Sequence, residues 1–92
     1  MTLEITQNND CFYLKGNLNS TSCSSIKNQV NTFLKNHSNV VININEVTEI
    51  DSFAVNFIVN LFKKASNKNK HVNFEGFGAK DIYEELMFRS IL

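Results

Sequence analysis

The sequence predicts an α/β fold, in which a mixed β-sheet of about four strands carries helices packed on it. Three observations support this prediction. β-Prone runs recur along the 92 residues, apolar residues recur at helical spacing in other segments, and the two kinds of segment alternate after an initial pair of strands. The predicted order is β-β-α-β-α-β-α. Strands separated by helices imply parallel crossovers, and the length suits one domain spanning residues 1–92.

Two short strands open the predicted fold. β-Prone residues from Leu3 to Thr6 and from Cys11 to Lys15 flank the turn-forming sequence QNND, which predicts a hairpin. The segment GNLNSTS is predicted to be a loop, with Ser20 or Asn19 capping the first helix. That helix is expected to end near Asn36. Its apolar stripe recurs at helical spacing and consists of Cys23, Ile26, Val30, Phe33 and Leu34.

The rest of the chain repeats the alternation of strand and helix. The sequence predicts a strand from Val40 to Ile44, a helix from Ser52 to Ser66, a strand from His71 to Phe74 and a last helix from about Ala79 to Phe88. Each helix has one apolar face, which is predicted to turn inward. These faces comprise Ala54, Ile58, Leu61, Phe62 and Ala65 in the second helix and Ile82, Tyr83 and Leu86 in the last.

Composition excludes several function classes. The formal net charge is zero and no basic block is interleaved with aromatic residues, so nucleic-acid binding is not predicted. No apolar segment reaches the roughly 18 to 20 residues of a membrane span, which argues against direct membrane insertion. The first residues lack the pattern of a signal peptide, and we expect a cytoplasmic protein with free thiols at Cys11 and Cys23. The one group of neighbouring lysines is interpreted as a solvated face and consists of Lys63, Lys64, Lys68 and Lys70.

Catalysis, metal binding and nucleotide binding are not predicted either. Ser52, Asp51 and the two histidines are residue types of a hydrolase triad, but no GxSxG motif occurs and no spacing brings a histidine to Ser52. The cysteines and histidines lack metal-ligand spacing, and no phosphate-binding glycine loop is present. Glu46, Glu49 and Asp51 make the start of the second helix acidic, which disfavours a bound anion and suits a protein partner. We therefore expect no enzyme activity and no cofactor.

The four residues DSFA, from Asp51 to Ala54, begin the second helix. Ser52 is a good helix N-cap, worth roughly 1 kcal/mol, and Asp51 lies beside the positive end of the helix dipole. Phe53 does not fit this role, because it lies about 140° away from the inward face at 100° per residue. Phe57 follows one turn later on the same side. Two phenylalanines off the core face predict an exposed apolar patch, and such patches often mark binding surfaces.

The sequence resembles a STAS domain, the fold of bacterial anti-sigma factor antagonists, over nearly its whole length. GNLN at Gly16 to Asn19 resembles the Gly-Glu-Leu-Asp turn of the family before its first helix. VVININEVTEIDSFAV resembles the central strand, loop and Asp-Ser-Ser-Gly-Leu segment. HVNFEGF and AKDIYEELMF resemble the next strand and helix. The order and spacing of these motifs carry the resemblance.

The resemblance implies a phosphorylation switch that this chain has altered. In the family, the serine after the Asp-Ser pair is phosphorylated by a partner kinase that is also the anti-sigma factor. Asp51 and Ser52 match that motif, but the acceptor position holds Phe53, which has no hydroxyl. Ala54 replaces the glycine of the motif and Val55 the leucine. Ser52 is then the neighbouring hydroxyl for phosphorylation, but as the expected helix cap its hydroxyl is partly occupied.

These observations predict a non-enzymatic, monomeric regulator that resembles an anti-sigma factor antagonist. It would bind a kinase-like anti-sigma factor through the loop and helix start around DSFA. An alternative is the small STAS adaptor subunit of a lipid-transport ABC system, which presents the same helix start to its ATPase. The residues expected to bind the partner in either case are Glu49, Asp51, Ser52, Phe53, Asn56 and Phe57.

Overall fold

The computed structural model describes residues 3–89 and confirms the predicted element order. The strands and helices alternate as β-β-α-β-α-β-α. Their bounds are β1 Leu3–Asn8, β2 Cys11–Leu18, α1 Ser20–Leu34, β3 Asn39–Ile50, α2 Ser52–Asn67, β4 His71–Glu75 and α3 Ala79–Phe88. None of the helices within the described range is long and apolar enough to cross a membrane.

The four strands form one mixed sheet in the order β1-β2-β3-β4. β1 pairs with β2 in antiparallel fashion, whereas β2, β3 and β4 run parallel. Phe12 of β2 faces Ile42 of β3, which in turn faces Phe74 of β4, and all three side chains are buried. Neighbouring positions such as Tyr13 and Glu75 are exposed. The helices therefore cover one face of the sheet and leave a polar face open.

The core lies between the sheet and the helices. Ile42 and Ile44 of β3 and Ile58 of α2 are buried, whereas Phe62 and Ile82, which were predicted to turn inward, are only partly buried and pack against the core. Both thiols are free, as expected. The inward face of α2 follows the predicted spacing, and its buried residues are Ala54, Ile58, Val59, Leu61 and Ala65.

β2 and β3 are longer than the sequence predicted. β3 continues past Ile44 to Ile50, and β2 includes the GNL segment that was expected to be a loop. The two extensions pair with each other, from Lys15 opposite Glu46 to Leu18 opposite Ile50. Register shifts interrupt this ladder, and Gly16 has a φ of 116° that favours glycine. The additional residues of β3 bring the chain to the end of the sheet at which α2 begins.

Candidate docking site

Asp51 joins β3 to α2 and caps the helix. Its side-chain Oδ1 accepts a hydrogen bond of 2.8 Å from the backbone N–H of Ala54. Its own backbone N–H donates to the carbonyl of Leu18 at 3.3 Å, and its backbone is extended, with φ −86° and ψ 174°. The prediction that Ser52 is the cap is therefore wrong. The carboxylate of Asp51 takes that place, since its extended backbone is the conformation typical of an N-cap residue, and an anion is favoured at the positive end of a helix.

Ser52 is the first residue of α2, and its side chain is exposed. Because Asp51 provides the cap, capping does not occupy the Ser52 hydroxyl. The sequence-based expectation had placed this hydroxyl in the cap bond and so partly out of reach of a kinase. The observed position leaves it at the solvent-facing start of a helix.

Phe53 and Phe57 differ in burial although they lie one turn apart on the same side of α2. Phe53 is 55% exposed, which agrees with its predicted position off the inward face. Phe57 is partly buried and packs against the core. The predicted patch of two phenylalanines is thus one exposed ring beside one half-covered ring. Both line a groove of about 270 Å³ between α1 and α2.

The other predicted site residues surround this helix start. Glu49 lies exposed near the end of β3. Asn56 is exposed on the second turn of α2, and its Oδ1 accepts a hydrogen bond of 2.9 Å from Nη1 of Arg89. Arg89 also pairs with Glu85 of α3. This contact links the first turns of α2 to the end of α3, so Asn56 is held by its neighbours.

Cys23 lies beneath the helix start and is chemically protected. Its side chain is 2% exposed, and burial, together with the negative charge of Asp51, raises the pKa of the Cys23 thiol to about 11. Burial also raises the pKa of Cys11, whose Sγ lies 3.7 Å from Oε1 of Glu75. A thiol with a raised pKa holds little of the nucleophilic thiolate at neutral pH. Neither cysteine has the environment of an activated nucleophile.

The histidines do not approach Ser52. His37 precedes β3 and His71 begins β4, so both lie at the sheet edge opposite the one where α2 starts. The ring of His37 stacks on Phe33 with centroids 4.0 Å apart, and its Nδ1 lies 3.0 Å from the Phe33 carbonyl oxygen. Within residues 3–89, no group of three or more potential metal-ligating side chains comes together. Among the described residues, neither histidine therefore lies beside Ser52 at the start of α2.

The sequence-based prediction did not identify Tyr13, Phe77 and Phe88 as exposed aromatic residues, and Phe77 is the most exposed of them. Phe77 follows β4 and is 87% exposed. Its backbone N–H donates to Oδ1 of Asn45 at 3.1 Å. A side chain at the preceding residue, Gly76, would come within 2.7 Å of the Asn45 backbone, and Gly76 has a φ of 101°. The sequence signal at this point is GFG, in which two glycines flank the exposed ring.

Comparisons with known proteins agree with this architecture. The family model described as the STAS domain matches residues 1–80. No curated protein matches the sequence significantly. The solved structure of the anti-sigma factor antagonist SpoIIAA in its unphosphorylated form is similar with a TM-score of 0.64 at 11% identity, covering 97% of each chain.

Two further solved structures share the fold. An uncharacterised protein of the DUF3478 family with a SpoIIAA-like fold, from Shewanella loihica PV-4, gives a TM-score of 0.59 at 17% identity, covering 97% of this chain and 76% of the other. A crystal structure of Mglu gives a TM-score of 0.63 at 16% identity over 78% of this chain. The matched region spans only 19% of Mglu. At such low identities these likenesses concern the fold alone.

Proposed function

The chain belongs to the STAS domain family, and we propose that it is a non-catalytic regulator that binds a kinase-like anti-sigma factor through the start of α2. STAS domains are generally regulatory or binding domains without catalysis. The similar structure of SpoIIAA is that of an anti-sigma factor antagonist. The proposed docking edge consists of Glu49, Asp51, Ser52, Phe53, Asn56 and Phe57.

The exposure of Phe53 is the observation that carries the proposal. More than half of this side chain, 55%, is in contact with solvent at the start of a helix. Fully burying a phenylalanine contributes about 1.5 to 3 kcal/mol, so the isolated chain forgoes part of that stabilisation here. A partner that covers the ring would recover it. Exposed aromatic residues are frequent anchors of protein interfaces for this reason.

Phe53 also bears on whether phosphorylation would control partner binding. If the resemblance of DSFA to the family motif is followed position by position, Phe53 corresponds to the serine that the partner kinase phosphorylates, and phenylalanine has no hydroxyl to phosphorylate. We infer that Phe53 makes a contact that persists whatever the activity of the kinase. Ser52 is then the remaining hydroxyl of the motif. A phosphate on Ser52 would place additional negative charge beside Asp51 and Glu49, and we expect the cost of desolvating this charge to weaken partner binding.

The experiment is affinity purification from native lysate with the wild type, Phe53→Ser and Tyr13→Ser, followed by identification of the bound proteins. Tyr13 is a suitable control because it is an aromatic residue, 42% exposed, on the open face of the sheet. A kinase-like anti-sigma factor should be retained by the wild type and by Tyr13→Ser but lost with Phe53→Ser. Equal retention by all three proteins would refute docking through Phe53.

The second candidate is an adaptor that binds the ATPase subunit of a lipid-transport ABC system. The missing hydroxyl at position 53 favours it, because an adaptor of this kind needs the helix start as a contact and not as a phosphorylation switch. The same purification distinguishes the two candidates. Recovery of an ABC ATPase that depends on Phe53 would support the adaptor, whereas a Phe53-dependent kinase would support the leading proposal.

A further inference from the structure

A groove runs along the seam between α1 and α2. The cavity of 270 Å³ beside Phe53 is followed by a second cavity of 460 Å³. Both are lined by Asn31, Leu61 and Lys64, so they form one continuous groove. It extends from the start of α2 to Lys70, beyond the end of that helix. We call this feature the α1–α2 groove.

The charge of the α1–α2 groove is one-sided. Five of the nine lysine and arginine residues of the chain line it, and among its described lining residues none is an aspartate or a glutamate. One of these amines, Nζ of Lys70, donates to the carbonyl oxygen of His37 at 3.1 Å. The net charge of the whole chain is zero, so the acidic residues lie elsewhere. The five lysines are Lys27, Lys35, Lys64, Lys68 and Lys70.

Apolar side chains form much of the groove, and Asn31, Asn56 and Asn60 line it as well. Phe53 and Phe57 line it at one end, and Leu34 and Ala65 line it at the other, with Leu61 between them. α1 and α2 both connect parallel strands, so the two helices run in the same direction, and the groove forms a furrow along the seam between them. The 16 residues of α2 correspond to about 24 Å of helix. A segment of several helical turns fits along such a furrow.

We propose that the α1–α2 groove binds an acidic amphipathic helix of the partner protein. This inference rests on the proposed docking function and names the chemistry of the docked element. Ridges of a third helix pack readily into the furrow between two others, and helix-in-groove binding uses apolar anchors spaced three and four residues apart. The lysines complement carboxylates beside those anchors. Phe53 then lies at one end of the surface that contacts this helix.

Nucleic acid and anionic membranes fit this surface less well. A chain of zero net charge has little long-range attraction for a polyanion. The apolar side chains of the groove lie recessed between two helices, whereas a membrane surface would need apolar groups that protrude beside the lysines. A protein helix supplies both the apolar ridge and the carboxylates. Binding measurements with lipid vesicles and with DNA, made on the same lysine variants, distinguish these two ligand classes from a protein helix.

The probe is a library of random 16-residue peptides displayed on phage and selected against the immobilised protein. We expect enrichment of acidic peptides with leucine or aromatic residues at helical spacing. Amide chemical shifts should change along α1 and α2 when an enriched peptide is added to labelled protein. The paired variant Lys27→Glu and Lys64→Glu should weaken peptide binding by about tenfold, since each reversal replaces an attraction between opposite charges with a repulsion.

A matched control is the pair Lys15→Glu and Lys80→Glu, which reverses two exposed lysines outside the groove. It should leave peptide affinity within about twofold, because distant exposed charges are screened by salt. Circular dichroism checks that each variant is folded, and Lys27→Gln with Lys64→Gln replaces the reversed pair if that pair is not. The glutamine variant should still bind the peptide severalfold more weakly than the wild type.

Several outcomes would overturn the inference. These are the absence of enriched peptides, enrichment of neutral or basic sequences, or shifts that map to α3 or to the open sheet face. Binding of phosphatidylglycerol vesicles or of a DNA duplex that the Lys27 and Lys64 variants abolish, without acidic peptides, would point to those ligands instead. If Phe53→Ser loses the native partner while the lysine variants retain it, the docking proposal stands and only the acidic helix is refuted.

Discussion

The starts of α1 and α2 are two solutions to the same structural problem. Each helix follows a parallel strand at the same sheet edge after a single linking residue, Asn19 in one case and Asp51 in the other. The two starts are in direct contact through the hydrogen bond from Asp51 N–H to the Leu18 carbonyl. Their surfaces nevertheless differ, because the first is closed by polar side chains and the second exposes an aromatic ring.

At the start of α1, side chains of the first turn form hydrogen bonds with the free backbone N–H groups of the helix. Oδ1 of Asn19 accepts hydrogen bonds from the N–H groups of Thr21 and Ser22, at 3.0 and 3.2 Å. The Ser22 hydroxyl accepts from the Asn19 N–H at 3.0 Å, which completes a capping box. The start of α2 has one side-chain cap bond, followed by Ser52 and the exposed Phe53. The difference indicates that the first start serves stability, and it supports our proposal that the apolar surface of the second is available to a partner.

The largest expected effect concerns the inward side of α2. Ile58 is 3% exposed, one turn beyond Ala54 on the buried face. Ile58→Ala should lower the free energy of unfolding by roughly 2 to 5 kcal/mol, as buried large-to-small substitutions do. Urea denaturation measures this loss. A loss below about 1 kcal/mol would mean that α2 is not anchored by this face, and the contrast between its inward and outward sides would disappear.

Cap removal compares the two helix starts directly. Asn19→Ala should cost about 1 to 2 kcal/mol, because it removes two accepted hydrogen bonds and breaks the capping box. Asp51→Ala should cost about 1 kcal/mol or less, because one cap bond is lost at the solvent-exposed start of α2. Urea denaturation of both variants gives the order. A larger loss for Asp51→Ala would contradict the view that the first start is the more stabilising one.

The thiol between the two starts gives a smaller, pH-dependent effect. The pKa of Cys23 is raised from 9.0 to about 11 by burial and by the charge of Asp51. Below pH 9 the thiol is neutral in both states, so its contribution to stability is fully present. As pH rises from 9 towards 11, the unfolded state ionises first and stability falls. Urea denaturation across this range should show a shallower decline for Cys23→Ala than for the wild type.

Cys11→Ala is the companion measurement, since burial also raises the pKa of that thiol. Cys11 is only partly buried, so its removal should change the slope less than removal of Cys23. Identical slopes for the wild type and Cys23→Ala would contradict the buried, neutral thiol beneath Asp51.

The sequence predicted the element order and the orientation of Phe53, because both follow from the periodicity of apolar residues. It misassigned the cap of α2, since aspartate and serine are both good caps and only the backbone conformation distinguishes them. The strand extensions were missed because residues 45–49 lack an apolar pattern, and their pairing with β2 is a tertiary contact. The α1–α2 groove was missed for a related reason. Lys27 and Lys64 lie far apart in sequence, and only the packing of two helices brings them to one seam.

The central claim is that Phe53 serves binding and contributes little to folding. The most direct test measures thermal denaturation and partner affinity for Phe53→Ser and Phe53→Asp. Phe53→Ser should leave the melting temperature nearly unchanged and weaken binding to the partner by about 1 kcal/mol or more. Phe53→Asp should weaken it further, because the interface would desolvate a new charge beside Glu49 and Asp51, while the helix dipole favours an anion in the free protein. A loss of several kcal/mol of stability in both variants would show that Phe53 belongs to the core and would contradict the account.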